Sequence, residues 1–579
     1  MSSPDSILTR LASFASDDPK KVALTFLSPG PDGGNIQNTL TYKQIAQQTD
    51  DIALYLQSNS LSKGDLAVLV YPPSLDFILA FIACLKIGVV PVPVFPPHPA
   101  RYDSIVSFSN IVNSSGAKIA LTNGEYQQAK KLGKIKEALK FRRSSAGQQG
   151  WPEDLKWIVT DHNQTAHSSK KTPSFPHPNN EDLAFLQFTS GSTSEPKGVM
   201  ITHFNLSDNL TKITTELSAS SDTVVVSWLP QYHDMGLIGS YLGVLYCGGS
   251  GYYLSPLTFL QRPVMWIEAI SKYKGTHLQA PNFAFKLTSK KFGLSSGSYT
   301  NKNLNLSSVR HIINAAEPVT EEAIDMFTNT FAPYGLNRSV IFPTYGLAEH
   351  TVFVCSGGKQ KLTVSKKELE LDGIVKVLTN EEESGLETSR LIGCGFPSKQ
   401  KVDVKIVNAE TFQPLKEDRV GEIWIKSDSK AAGYYRKDAE TLKDFGAMLA
   451  VNGTIPKSNL KEGYLRSGDL GFIHNNELFI CGRIKDLIIV GGRNYYPQDI
   501  EVTAESCDER IRPGCIAAFT VDPISGHDEE VALLLELREV PDAKVRIIIA
   551  YAVDAIFFIY ISSELSPSLT VVIFSTFYT

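Results

Sequence analysis

Cysteine is scarce in this chain, with seven among 579 residues, an odd number, and no two at C-x-x-C spacing. That excludes a disulfide framework and a zinc site of closely spaced thiols, and it leads us to expect a reducing, cytoplasmic setting. Basic charge is not in excess either: 56 lysines and arginines face 61 aspartates and glutamates, for a net charge of −5. A nucleic-acid binder needs a basic face to displace the counterions of phosphates, so no nucleic-acid partner is expected. Residues 1–21 contain no apolar core of the kind a signal peptide has, and Asp5, Asp17 and Asp18 are out of place in a mitochondrial presequence. Long hydrophobic runs are missing as well. The most apolar early stretch, residues 77–95, is interrupted by Lys86, Gly88, Pro91 and Pro93. It reads as a buried helix, a turn and a strand, and no membrane span is expected. No internal repeat stands out, and no G-x-x-x-x-G-K-[ST] loop occurs.

What is present is a β-α-β rhythm. Residues 42–56 are helix-like, 66–70 strand-like, 77–85 helix-like and 89–94 strand-like, with a further strand at 117–122. Such alternation predicts an α/β fold with helices on the faces of its sheets. Residues 130–143, with seven basic residues and one acid, read as the solvated face of a surface helix; a docking patch for an acidic partner is the other reading. Residues 144–180 read as loops around one strand at 156–160.

The densest chemical signal is at residues 189–198, TSGSTSEPKG. An apolar run at 183–188 leads into it, and another at 199–202 follows. Asn205 is the expected cap of a helix over 205–217. Small hydroxyl residues around glycine let backbone N–H groups turn toward an anion, and a lysine adds positive charge. Thr189, Ser190, Gly191, Ser192, Thr193 and Lys197 are therefore candidates to hold a triphosphate. A merely flexible loop is the bland alternative.

With that loop, the chain resembles the adenylate-forming superfamily from about residue 10 to about residue 538, and within it the fatty acyl-AMP ligases most closely. Serine stands at 194 where the family usually has glycine. Further matching motifs follow in the family's order: SWLPQYHDMGLIG at 227–239, THLQAPNFA at 276–284, NAAEP at 314–318, PTYGLAE at 343–349 and YLRSGDLG at 464–471. The resemblance implies that His233 faces the reacting carboxylate and that Met235, Gly236, Asn282 and Phe283 border the acyl tunnel. It implies that Ala316, Glu317 and Pro318 run along the nucleoside, with Tyr345 and Gly346 at the adenine. Glu349 would hold Mg²⁺, Asp469 would accept from the ribose hydroxyls, Arg483 would contact the nucleotide, and Asp486 would be the hinge. The chemistry of the residue types agrees, since a flat aromatic face suits a purine and a carboxylate is the hard oxygen ligand that Mg²⁺ prefers beside phosphates. The implied catalytic set is Lys197, His233 and Glu349.

The implied architecture is a large multi-subdomain α/β domain over 1–485, with sheets flanked by helices, and a small α+β domain over 486–540 that is truncated or altered. The implied reaction joins a fatty acid to AMP from ATP, with Mg²⁺, and releases pyrophosphate; an acyl carrier protein or polyketide synthase would take the acyl group. A Lys- and Glu-rich stretch near 356–391 looks like the insertion typical of the ligases, which disfavours CoA as acceptor; a plain surface excursion is the alternative. Two other functions stay open: an acyl-CoA synthetase, and a nucleotide-binding pseudoenzyme. The second arises because the family's closing Pro-Lys-Thr-x-x-Gly-Lys motif has no match here. Residues 541–579 do not resemble the family at all. They read as a tail anchor, as a replacement pair of apolar strands or, the reading we favour, as a departure of the transcript from the family near residue 540. The anchor is disfavoured because residues 547–561 carry Asp554 at their centre and fall short of the roughly 20 residues that a span needs. One decoy, GLSSG at 293–297, fits the nucleophile elbow of hydrolases but lacks the strand before it and the helix after it that the elbow requires.

Overall fold

The computed structural model describes residues 4–30, 35–99, 101–140, 151–161, 175–189, 195–295, 303–379, 386–490, 493–507, 511–521, 530–537 and 570–574. The expected α/β class holds. A four-stranded parallel sheet runs in the order Val90–Pro93, Leu66–Leu69, Ile119–Thr122, Lys156–Val159. Its central strands are covered on both faces, which is why they read as continuous apolar runs rather than alternating ones. The helix Leu75–Ile87 buries eleven of its thirteen residues, so it shows no polar stripe in the sequence. It stops at Gly88, whose φ of 73° is the left-handed turn that glycine adopts at low cost.

The second sheet has eight strands, in the order Cys355–Ser356, Ile341–Tyr345, His311–Asn314, His277–Ala280, Val224–Ser227, Ser250–Tyr253, Val22–Pro29, Asn35–Thr41. Its interior is parallel and both edge strands are antiparallel. In such a sheet, ligands bind beyond the carboxyl ends of the strands. Four of the motifs, at 227–239, 276–284, 314–318 and 343–349, leave the sheet at those ends. The hairpin Leu183–Thr189 with Lys197–Thr202 stands apart as its own antiparallel pair. A four-stranded antiparallel sheet, Asp403–Val407, Gly421–Lys426, Leu465–His474, Glu477–Arg483, brings Asp469 opposite Arg483.

The chain then passes the short turn Ile484–Asp486, which carries the expected hinge residue, into a smaller α+β unit. That unit holds the hairpin Ile488–Val490 and Arg493–Tyr495, the helix Pro497–Ser506, and a three-stranded sheet. The third strand of this sheet, Thr570–Phe574, comes from the stretch that does not resemble the family and pairs in parallel with Glu530–Leu537. Residues 541–569, where the other readings of the tail fall, lie outside the described residues.

Two expectations need correction. Lys130 is not on a solvated face: it is 7% exposed, with Nζ 3.2 Å from the ring centre of Trp157 and 5.0 Å from that of Trp151. Aromatic faces attract a desolvated ammonium, so this basic residue belongs to the packing of the helix Gly124–Lys140. The Lys- and Glu-rich stretch is no loose excursion in its described part. Strands Lys361–Ser365 and Thr388–Ile392 pair around the helix Lys366–Asp372, and Leu362, Val364 and Leu369 pack with Phe472, Phe479 and Tyr496. The decoy is set aside as expected, because Gly293 lies on the helix Asn282–Ser295 and not after a strand. Among the described residues, no helix is long and apolar enough to cross a membrane.

Candidate active site

The hairpin register places Thr189 directly opposite Lys197, so residues 190–196 form the loop that joins the two strands. Ser190, Gly191, Ser192 and Thr193 lie outside the described residues. At Gly198 a Cβ would stand 2.9 Å from the ring of Phe188, so a larger residue there would have to push that ring aside. The helix His203–Glu216 follows at once, and its cap is Thr202, not Asn205. Thr202 accepts from the Asn205 N–H while the Asn205 side chain accepts from the Thr202 N–H, so Asn205 is the reciprocal partner three residues inside the helix. Lys197 Nζ lies 2.7 Å from Glu440 Oε2 and 3.9 Å from Asp444 Oδ2, on the helix Asp438–Phe445, and 4.5 Å from the ring centre of Tyr434.

Tyr345, Asp469 and Arg483 meet. The Tyr345 hydroxyl donates to Asp469 Oδ2 at 2.6 Å, and Arg483 Nε lies 3.0 Å from Asp469 Oδ1. Burial pushes the Asp469 carboxyl upward, and the Arg483 guanidinium only partly opposes it. Gly346 is fixed by close approach, because a Cβ would fall 1.8 Å from the Val352 carbonyl oxygen. Glu349 accepts the Tyr434 hydroxyl at Oε1 (3.0 Å), and its backbone carbonyl accepts the Ala431 N–H (3.0 Å). Burial raises its carboxyl as well, and Asp469 adds to the rise while Arg483 opposes it, so this group and the Tyr345 cluster share one electrostatic environment.

The chain turns sharply after Glu349. Thr351 has φ 68° and ψ −65°, and Val352 N–H donates to the His350 carbonyl. Asn209 clamps the turn, donating to the Phe353 carbonyl at 2.9 Å and accepting the Phe353 N–H at 3.1 Å.

His233 is not a core histidine: its side chain is 54% exposed, and Nδ1 lies 2.7 Å from Asp234 Oδ1. Partial burial works against its proton, but the adjacent Asp234 carboxylate outweighs this and holds the imidazole above its usual range. Gln187 donates to the Tyr232 carbonyl at 3.1 Å, which ties this segment to the hairpin that carries Thr189 and Lys197. Met235 opens a π-helix, Met235–Leu242, and Gly236 is needed because a Cβ would meet the Pro230 carbonyl oxygen at 2.1 Å. The Asn282 amide is taken up by Thr320 and Asn314, so it braces the neighbouring segments. Phe283 is partly exposed beside Trp228, and its N–H donates to the Glu317 carboxylate. Ala316, Glu317 and Pro318 are exposed, with Ala316 at φ 72°. Two groups escaped the sequence reading, Tyr434 and Asn209, because each acts across more than eighty residues and no local pattern marks it.

The donor set fits Mg²⁺ in one way. Among the described residues no three acidic, histidine or cysteine side chains gather as a cage. A half-buried carboxylate such as Glu349 fits Mg²⁺ when a substrate's phosphates supply the other oxygens.

The eight-stranded sheet carries the motifs at the carboxyl ends of its parallel strands, and the hairpin of Thr189 and Lys197 stands apart from it. In sequence comparisons the AMP-binding enzyme family matches residues 11–435. The chain belongs to that family of AMP-binding enzymes. It is 38% identical over 86% of its length, and 80% of the relative's, to the medium-chain-fatty-acid–[acyl-carrier-protein] ligase JamA of Moorena producens. The putative fatty-acid–CoA ligase FadD21 of Mycobacterium tuberculosis is 33% identical over 93% of this chain and 89% of its own. Among solved structures, a fatty acyl-adenylate ligase of Legionella pneumophila in complex with acyl adenylate and pyrophosphate matches with a TM-score of 0.71. It is 32% identical, and the match covers 95% of this chain and 90% of that one.

Proposed function

We propose that this protein is a fatty acid–AMP ligase that activates a fatty acid carboxylate with ATP and passes the acyl group to an acyl carrier protein. The observation that carries the reading is the meeting of the buried Tyr345 and Asp469 with the exposed Arg483, beside Glu349 at the carboxyl edge of the parallel sheet. Relatives and neighbours that are named as fatty acid ligases supply the substrate class.

In the proposed reaction the carboxylate oxygen attacks the α-phosphorus in line. A carboxyl–phosphorus bond forms, the α–β bridge breaks, and pyrophosphate departs with the bridging oxygen. No covalent enzyme intermediate is needed, so the protein's part is positioning and charge neutralisation. The hairpin loop and Lys197 hold the phosphates, and Lys197 must exchange Glu440 for them. Asp469 anchors the ribose, with Tyr345 and Arg483 fixing its plane. Tyr345 offers its ring to the adenine, and Ala316, Glu317 and Pro318 line the nucleoside. His233 lies toward the acid's carboxylate, and Met235, Gly236 and Phe283 shape the entrance for its chain. Glu349 would hold Mg²⁺, which supplies positive charge to the phosphates when bound. Asp486 serves as the hinge to the smaller unit.

ATP–pyrophosphate exchange with medium and long fatty acids tests the activation step. No exchange with retained ATP binding would make the chain a binding module, the reading that the missing C-terminal lysine motif favours. A second enzymatic reading, thioester formation with CoA, is favoured by relatives named as CoA ligases. Offering the purified protein free CoA and a phosphopantetheinylated carrier side by side separates the two; exclusive use of CoA would overturn the carrier assignment.

A further inference from the structure

We infer that Tyr434 is a positioning residue that couples the phosphate-loop lysine to the metal-site carboxylate. The inference rests on the reading of Lys197 and Glu349 given above and adds to it a residue that no motif singled out. Tyr434 is 6% exposed and touches both groups at once. Its hydroxyl donates to Glu349 Oε1 at 3.0 Å, and its ring centre lies 4.5 Å from Lys197 Nζ. The ring is held edge-on against Phe445, with centroids 5.0 Å apart.

The backbone around it is fastened on both sides. Met200 N–H donates to the Gly433 carbonyl at 2.8 Å, Ala432 N–H to the Met200 carbonyl at 3.0 Å, and Tyr435 N–H to the Gly198 carbonyl at 2.8 Å. Residues 432–435 thus run along the hairpin strand that carries Lys197. Ala431 N–H donates to the Glu349 carbonyl at 3.0 Å, and the Thr351 hydroxyl donates to the Ser429 carbonyl at 2.8 Å. One short segment therefore fixes the strand of the lysine and the turn of the carboxylate together.

The chemistry of the two contacts differs. A hydroxyl bonded to Oε1 sets the plane of the carboxylate and so fixes where its other oxygen points. A ring face steadies an ammonium without neutralising it, which leaves the charge available to an anion. The carboxylates of Glu440 and Asp444 can be exchanged for phosphate, whereas the ring cannot be displaced in this way.

Tyr434→Phe removes the hydroxyl and keeps the ring, so the two contacts can be separated. Calorimetric titration of the full chain with ATP, with and without Mg²⁺, reads the metal's contribution to binding and does not require turnover. We expect Tyr434→Phe to melt normally and to bind metal-free ATP as the parent does. Its gain in ATP affinity on adding Mg²⁺ should fall about tenfold, the effect of one hydrogen bond to a charged group. The double variant with Glu349→Gln should be no worse than Glu349→Gln alone. Tyr434→Leu should in addition weaken metal-free ATP, because Lys197 loses its ring. A purely structural role would weaken both titrations equally. If Glu349→Gln loses the Mg²⁺ gain while Tyr434→Phe keeps all of it, the coupling is wrong and the metal reading stands. If Glu349→Gln itself keeps the gain, the metal reading fails and the coupling falls with it.

Discussion

A β-branched residue seldom adopts positive φ, yet Thr351 sits at φ 68° and ψ −65° two residues after Glu349. Strain of this kind persists only where the surroundings over-determine it. Here Asn209, fully buried, closes the turn through the Phe353 N–H and carbonyl, and the Thr351 hydroxyl reaches the Ser429 carbonyl. Cutting Asn209 to alanine would leave the buried Phe353 N–H without a partner, while the Phe353 carbonyl would keep only His350 Nδ1. An orphaned buried group costs about 1–3 kcal/mol. Asn209→Ala should therefore lose about 1–3 kcal/mol in urea unfolding, where an exposed asparagine would lose almost nothing. An unchanged midpoint would show that the turn holds without its clamp.

At the level of elements, the helix His203–Glu216 carries the clamp residue and starts directly after the strand Lys197–Thr202. Thr202→Ala removes the side-chain acceptor from its first turn and should cost about 1 kcal/mol, read as a lower melting temperature. Asn205→Ala, which removes the reciprocal bond and the contacts to the Asp428 and Lys430 carbonyls, should cost at least as much. Equal melting of either variant and the parent would contradict the capping box. The sequence reading placed the helix but put its start at Asn205, because a threonine that ends an apolar run looks like the last residue of a strand; here it does both jobs. Apolar runs and glycine stops made the parallel strands and the helix Leu75–Ile87 legible, since their signals are local. The meeting of Tyr345 with Asp469, 124 residues apart, is not written in any local pattern and came only from resemblance. Tyr434 had neither source, because its hydroxyl and ring act on partners in two other segments. The burial of Lys130 was missed because charge alone predicts solvent, and the two tryptophans that cover it lie beyond the helix.

For the molecule as a whole, the buried histidines decide how it meets acid. His277 and His311 face each other across adjacent strands, rings 4.9 Å apart, at the amino ends of the eight-stranded sheet and so away from the candidate site. His203 is buried at the start of its helix. Burial pulls His203 down to about 4 although Asp182 pulls the other way and Lys63 adds to the fall. Burial, then His277 and Arg310, bring His311 to about 4. Burial also lowers His277, against the Leu217 carbonyl and Asp222 and with Arg310. All three lie below the ordinary 6.5, as does the fully buried His350, which burial brings to about 4. The unfolded chain therefore takes up protons first as the pH falls, and the stability these groups contribute is complete above about 6.5 and is lost progressively toward about 4. Melting temperature should accordingly drop between about pH 7 and about pH 5, a range in which ordinary carboxylates remain ionised. His203→Gln cannot take up that proton, so its melting temperature should fall less steeply across the same range. A variant slope equal to the parent's would remove His203 from the account. A parent that melts at one temperature throughout would show that the proton uptake is balanced elsewhere in the fold.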